Sequence, residues 1–118
     1  VYDLVETSSA RKDLRFRDQL IDAASSGPSN IAEGFACYRH KEGARYARIA
    51  KASLTEASNH LSDGIDRRHW TAEHVAPLMI LDDRAIRATV GWVRHLETTE
   101  APPAHWEIKR TRPTRKRR

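Results

Sequence analysis

Cysteine is almost absent from this chain: Cys37 stands alone, which excludes an internal disulfide and fits a reducing, cytoplasmic setting. Glycine and proline number five each in 118 residues, a scarcity that marks a globular chain leaning toward helix. No apolar run approaches the roughly 20 residues that cross a bilayer, so no membrane partner is expected. A signal peptide is not evident, and because the chain opens at Val1 without an initiator Met, an N-terminal piece is expected to be missing. Strand alternation and internal repeats are lacking. So are a glycine-rich phosphate loop, a zinc-protease His pair, and a nucleophile with a base and an orienting group. Those absences argue against an enzyme and against a bound cofactor.

What the chain has is charge. Lys and Arg total 21 against 16 Asp and Glu, a formal net charge of +5. The excess is local: Lys109, Arg110, Arg112, Arg115, Lys116, Arg117 and Arg118 fall in the last ten residues without an acid, and the rest of the chain is slightly acidic. The length suits one domain. Residues 1–100 read as a helical bundle. Residues 101–118 read as a linker containing Pro102 and Pro103, followed by a disordered basic tail that lacks the apolar groups needed to fold.

Apolar periodicity places the helices. Val1, Tyr2, Leu4 and Val5 read as the last turns of a first helix, ended by the turn-prone Thr7-Ser8-Ser9. From about residue 12 to 38, Phe16, Leu20, Ala24, Gly27, Ile31, Phe35 and Tyr38 recur at steps of three and four, as one helix face requires. Pro28 lies inside that stretch, removes a backbone donor and predicts a kink or two helical halves. Ala47, Ala50, Leu54, Ala57 and Leu61 form a heptad-like seam over 41–65, with alanines that permit close helix approach. After a polar connection at 66–70, Thr71 is a candidate N-cap for a fourth helix reaching about residue 97, its stripe including Val75, Met79, Ile86, Val90, Val93 and Leu96. Pro77 predicts a start nearer Ala76 or an early bend. Short connections between long amphipathic helices make the fold all-α, an antiparallel up-and-down four-helix bundle whose first helix is largely truncated. The stripe left facing water then needs missing residues or another subunit to cover it.

Several groups carry candidate chemistry. Lys41, Arg45 and Arg48 share a helix face, with Arg39, His40 and Lys51 at its margin; this is either a phosphate-binding patch or a solvated face into which Glu42 is mixed. The seven tail cations suit nucleic-acid phosphate, an anionic membrane or a solubility role, and nucleic acid is preferred. Trp106 beside them either stacks on a base or packs back on the bundle. Pro28, Asn30 and Glu33 bring a freed backbone group and two polar side chains together; they serve either a structural network or subunit contact, or a ligand or RNA. The six His, even with Glu56, His60 and Asp63 on one face, lack the paired inward Glu-x-x-His pattern of a bundle metal site, so no metal is expected. Cys37 reads as a small buried thiol.

The segment Ser29-Asn30-Ile31-Ala32-Glu33-Gly34-Phe35, preceded by Gly27-Pro28, resembles a motif of the four-helix-bundle proteins encoded in intervening sequences of large-subunit ribosomal RNA genes. Val1-Tyr2-Asp3-Leu4 is similar to the end of that family's first helix, and the run from Arg45 to Glu56 to its third, so the resemblance covers roughly residues 1–96. It implies a homo-oligomer, notably a pentameric ring. It also implies a kinship with the accessory proteins of diversity-generating retroelement reverse transcriptases. Taken with the basic tail and the Lys41 to Lys51 face, the expectation is a non-catalytic accessory protein that binds RNA or DNA, with itself and a reverse transcriptase as further partners. The competing expectation is a protein-interaction scaffold with no nucleic-acid role.

Overall fold

The computed structural model describes residues 1–101, and these form four helices with no strand. A short α1 (Tyr2–Glu6) leads through a 3-10 turn (Ser9–Lys12) into α2 (Leu14–Ala36), followed by α3 (His40–Asp66) and α4 (Ala72–Thr98). The truncated first helix read from the sequence is the five-residue α1. Helix α3 is the centre of the fold, packing on α2 along one side and α4 along the other. Start-to-end contacts fix the antiparallel order: Phe16 of α2 meets His60 of α3 edge-on, and Arg48 of α3 pairs with Glu97 of α4.

The alanine seam of α3 is buried throughout: Ala44, Ala47, Ala50, Leu54, Ala57 and Leu61 all face neighbours. Gly27 of α2 lies so close to Leu54 that an added Cβ would stand 2.8 Å from its Cδ2. At one end of the bundle Val5, Ala10, Phe16, Leu20, Leu61, Trp70 and Val75 form the core, closed by α1 and the 3-10 turn. Trp70 belongs to this core, with 6% of its surface exposed and its indole Nε1–H donated to Leu61 O at 2.8 Å. The connection read as polar at 66–70 therefore begins one residue later, after Asp66 ends α3, and it closes on a core residue. Arg68 there takes a left-handed φ of 63°. The His69 N–H then reaches back to Gly64 O at 2.9 Å and the Arg68 N–H to Ile65 O at 3.0 Å, which caps the carbonyl end of α3.

Both prolines are absorbed. Helix α2 runs unbroken from Leu14 to Ala36 with Pro28 inside it, so the predicted halves do not form. Helix α4 starts at Ala72, ahead of Pro77, because the Thr71 hydroxyl accepts the His74 N–H at 3.0 Å and fixes the first turn there. Two apolar stripes, not one, run along α2. Phe16, Leu20 and Gly27 face α3, whereas Ala24 and Pro28 line a groove of about 210 Å³ that Leu54, Ala57, Leu61, Leu78, Leu81 and Val1 complete. Phe35, expected in the buried stripe, is instead 72% exposed and stacks on Trp92 with ring centroids 4.4 Å apart.

Asp82 closes the groove. Its Oδ2 is shielded from solvent and has no hydrogen-bond partner among the described residues. Desolvation, aided by the neighbouring Asp83 charge, pushes the carboxyl up to about 6. The sign follows: with a folded-state value above 3.8, the fold is favoured most below pH 3.8 and loses that stability as pH rises through about 6. Asp82→Asn is therefore expected to stabilise the protein at pH 7.5 by on the order of 1 kcal/mol, solvent screening included. Thermal melts at pH 7.5 and pH 5 check this; a gain that persists unchanged at pH 5 would contradict the ionisation argument.

Candidate nucleic-acid interface

Residues 37–39 turn the chain from α2 into α3, and Arg39 occupies the N-cap of α3 in extended conformation without a side-chain cap bond. The free backbone N–H groups of the first turn therefore point outward with the positive end of the helix dipole. Near them stand Arg39, Lys41 and Arg45, and Arg48 and Lys51 continue along the helix for about two to three turns; all five are exposed. The buried positions Gly43, Ala44, Ala47 and Ala50 set its orientation, because burying that side of α3 leaves the cations no other direction.

Arg39, Lys41 and Arg48 reach a cavity of about 650 Å³ between the start of α3 and the end of α4, across from Leu96, Glu97 and Thr99. His40 closes the junction, its Nδ1 3.0 Å from Thr99 O, with its ring 5.9 Å from that of His95. Carboxylates are present too. Glu97 pairs with Arg48, and Glu42 and Glu100 line the same cavity. Arg48 is thus partly answered within the chain, and the surplus of charge rests on Arg39, Lys41, Arg45 and Lys51. No basic residue lies in the last turn of α3, whose charged groups there are Asp63 and Asp66. Cations at its start oppose the helix dipole, at a cost of a few tenths of a kcal/mol per charge, while at its end Arg67 on the C-cap answers Asp63. Helix stability does not explain that placement.

Among the described residues no hydrogen bond joins Pro28, Asn30 and Glu33 to one another. The Asn30 amide donates to Ser26 O at 2.8 Å and to Ser26 Oγ at 3.0 Å, and Ser53 of α3 donates to the same Ser26 hydroxyl at 2.8 Å. Asn30 thereby joins a polar tie between α2 and α3, while Glu33 is exposed and Pro28 faces the groove. Cys37 is half-buried at the end of α2 rather than buried, its thiol directed to Glu33 O at 3.3 Å. The tail cations Lys109, Arg110, Arg112, Arg115, Lys116, Arg117 and Arg118, together with Trp106, lie outside the described residues.

Sequence reasoning missed a second polar cluster at the opposite end. Asp13 Oδ2 accepts from His69 Nε2 and Arg67 Nη1, both at 2.9 Å, and His69 Nδ1 lies 2.7 Å from Ser9 Oγ. The His69 hydrogen bond, then Arg67, holds the Asp13 carboxyl below its usual range. Arg67 also bonds Asp63 and lies over the Phe16 ring, 5.1 Å from its centroid. The order Ser9–His69–Asp13 is that of a proton relay, but Asp13 is already compensated by Arg67, and the cluster ties the start of α2 to the α3–α4 connection. Asp13 and His69 are 56 positions apart, and no spacing rule links them. Among the described residues no group of three His, Cys, Asp or Glu is placed to hold a metal, and no helix is long and apolar enough to cross a membrane.

Three antiparallel helices led by a short first one, with cations on one outer face, define a helical-bundle protein. The chain belongs to the 23S rRNA-intervening sequence protein family, whose model matches residues 1–88, from α1 into α4. No curated protein and no solved structure matches it.

Proposed function

We propose that this chain is a non-catalytic, homo-oligomeric accessory protein that binds structured RNA or duplex DNA through phosphate contacts. Its setting is an RNA-processing or reverse-transcribing machine, with a pentameric ring as the assembly. The observation that carries the reading is exposed Arg39, Lys41 and Arg45 at the uncapped start of α3, with Lys51 continuing the basic run about three turns along the helix. Backbone donors, a helix dipole and mobile cations together suit phosphate oxygens. The family's tie to 23S rRNA supports an RNA-linked role. A ring would repeat the patch and multiply a modest affinity. Nothing in the face offers a rigid set of base-reading side chains, so binding without sequence preference is expected.

Fluorescence anisotropy with a structured RNA and a matched duplex, at 50 and 200 mM salt, tests this. The expected result is binding by the intact chain that weakens steeply with salt and survives ending the chain at Ile108. If the tail supplies all the affinity, the slope of log K against log salt approaches about −6 from seven contacts and binding vanishes with truncation. No salt-sensitive binding in either form would favour the scaffold reading. That reading draws on the open α2–α4 groove and the exposed Phe35 as protein-contact surfaces.

A further inference from the structure

The outer side of α3 carries more than cations. Lys41, Arg45, Arg48, Ala52, Glu56, Asn59 and Asp63 follow one another at steps of three and four, forming one continuous ridge directly opposite the buried seam. All are exposed except the half-exposed Asp63. Charge along the ridge is segregated. The half before Ala52 bears Lys41, Arg45, Arg48 and Lys51 against Glu42 alone, and the half after it bears Glu56, Asp63 and Asp66 with no Lys or Arg. Between the halves lies a shallow depression floored by Ile49, 39% exposed, and the small Ala52.

We infer that this ridge pairs antiparallel with the same ridge of a second copy of the chain, about a two-fold axis at Ala52. Such an axis makes the contact self-complementary, so each pairing occurs twice. Counting outward from Ala52, Arg48 meets the partner's Glu56, Lys41 meets the partner's Asp63, and Arg45 meets the partner's Asn59. Ile49 covers the methyl of the partner's Thr55, and Ala52 on the axis allows the two helices to approach closely. A parallel arrangement would set Lys41 on Lys41 and Glu56 on Glu56, so the charge pattern selects the antiparallel one. The internal bonds of these residues leave room. Arg48 uses one guanidinium nitrogen for Glu97, and Asp63 uses one carboxylate oxygen for Arg67. The cations at the start of α3, which oppose its own dipole, then have a reason: a second α3, reversed, brings carboxylates to them.

The pairing takes up Lys41, Arg45 and Arg48, so a paired α3 and phosphate bound at these cations exclude each other; the association test contains no nucleic acid. Sedimentation velocity on the full chain at 50 and 500 mM salt is expected to show association through α3 that weakens by about tenfold or more at the higher salt. Arg48→Glu sets carboxylates against the partner's Glu56 at both symmetry-related positions, and Glu56→Arg does the reverse; each is expected to abolish this association. The double variant R48E/E56R restores the opposed signs and is expected to recover it. Both sites are exposed on the helix surface, and unchanged circular dichroism confirms the fold. Assembly through other surfaces adds mass but does not respond to the swap. A wild-type chain that does not associate at low salt, single variants that associate unchanged, or a double variant that stays dissociated would each overturn the proposal. The two readings separate on Glu56→Arg, which removes pairing while strengthening polyanion binding.

Discussion

Replacing Gly64 by Ala is expected to lower the melting temperature by roughly 10–20 °C, measured by circular dichroism or calorimetry. A Cβ built at Gly64 stands 2.2 Å from Trp70 Cζ2 and 2.7 Å from Nε1, inside any permitted contact. The indole cannot retreat cheaply: it is buried, its N–H is spent on Leu61 O, and its ring lies 5.8 Å from that of Phe16. Overpacking a filled core costs about 1–3 kcal/mol, and a broken buried hydrogen bond adds about 1–3. The better helix propensity of Ala returns about 1, leaving a net loss of about 1–5 kcal/mol, centred near 3. Gly91→Ala is the matched control, because nothing lies within 4 Å of its added Cβ. That change is expected to stabilise by about 0.5–1 kcal/mol. Pairing Gly64→Ala with Trp70→Leu should cost less than the sum of the two, since the second change removes the atoms the first collides with. Strict additivity would show that Trp70 is not what fills the space.

The alanine seam of α3 is legible because all five of its positions face inward along a helix that touches neighbours on two sides. Period alone therefore finds the centre of the fold. It does not divide α2, where Phe16, Leu20 and Gly27 turn toward α3 while Ala24 and Pro28 turn toward the groove. A helix bordering an open groove carries two stripes that merge when written as one. The connection after α3 was illegible for a different reason: Trp70 is flanked by His69 and Thr71, and its burial depends on the absent side chain of Gly64 across the turn. Local rules predict a kink or two halves at Pro28 and a start nearer Ala76 or an early bend at Pro77, yet α2 runs unbroken through Pro28 and the Thr71 cap starts α4 at Ala72. The basic face was readable, since Lys41, Arg45 and Arg48 recur at helical spacing. Its acidic partner was not, because Glu97 lies 49 positions from Arg48.

Changing Arg39, Lys41, Arg45 and Lys51 together to Gln is expected to lower affinity for duplex or structured nucleic acid by on the order of 10²-fold at 50 mM salt. The magnitude comes from counterion release. Each cation that neutralises a phosphate adds about −0.9 to the slope of log K against log salt, so losing four contacts flattens the slope by about 3 to 4. Arg48 is left in place because Glu97 already answers part of its charge. Gln keeps the helix propensity and much of the side-chain length, which confines the change to charge. The comparison is run in the intact chain and in one ending at Ile108, since the seven tail cations otherwise mask the face. Arg11, Lys12 and Arg15, exposed at the opposite end of the bundle, serve as the control. Their neutralisation changes net charge by nearly the same amount but removes no cation from the start of α3. A field acting at a distance would weaken binding similarly for both sets and would fade within a Debye length of about 10 Å at 0.1 M. Direct phosphate contact predicts a large loss for the α3 set alone, with a changed salt slope. Equal losses would reduce the face to general electrostatics, and an unchanged slope would remove it from the binding surface.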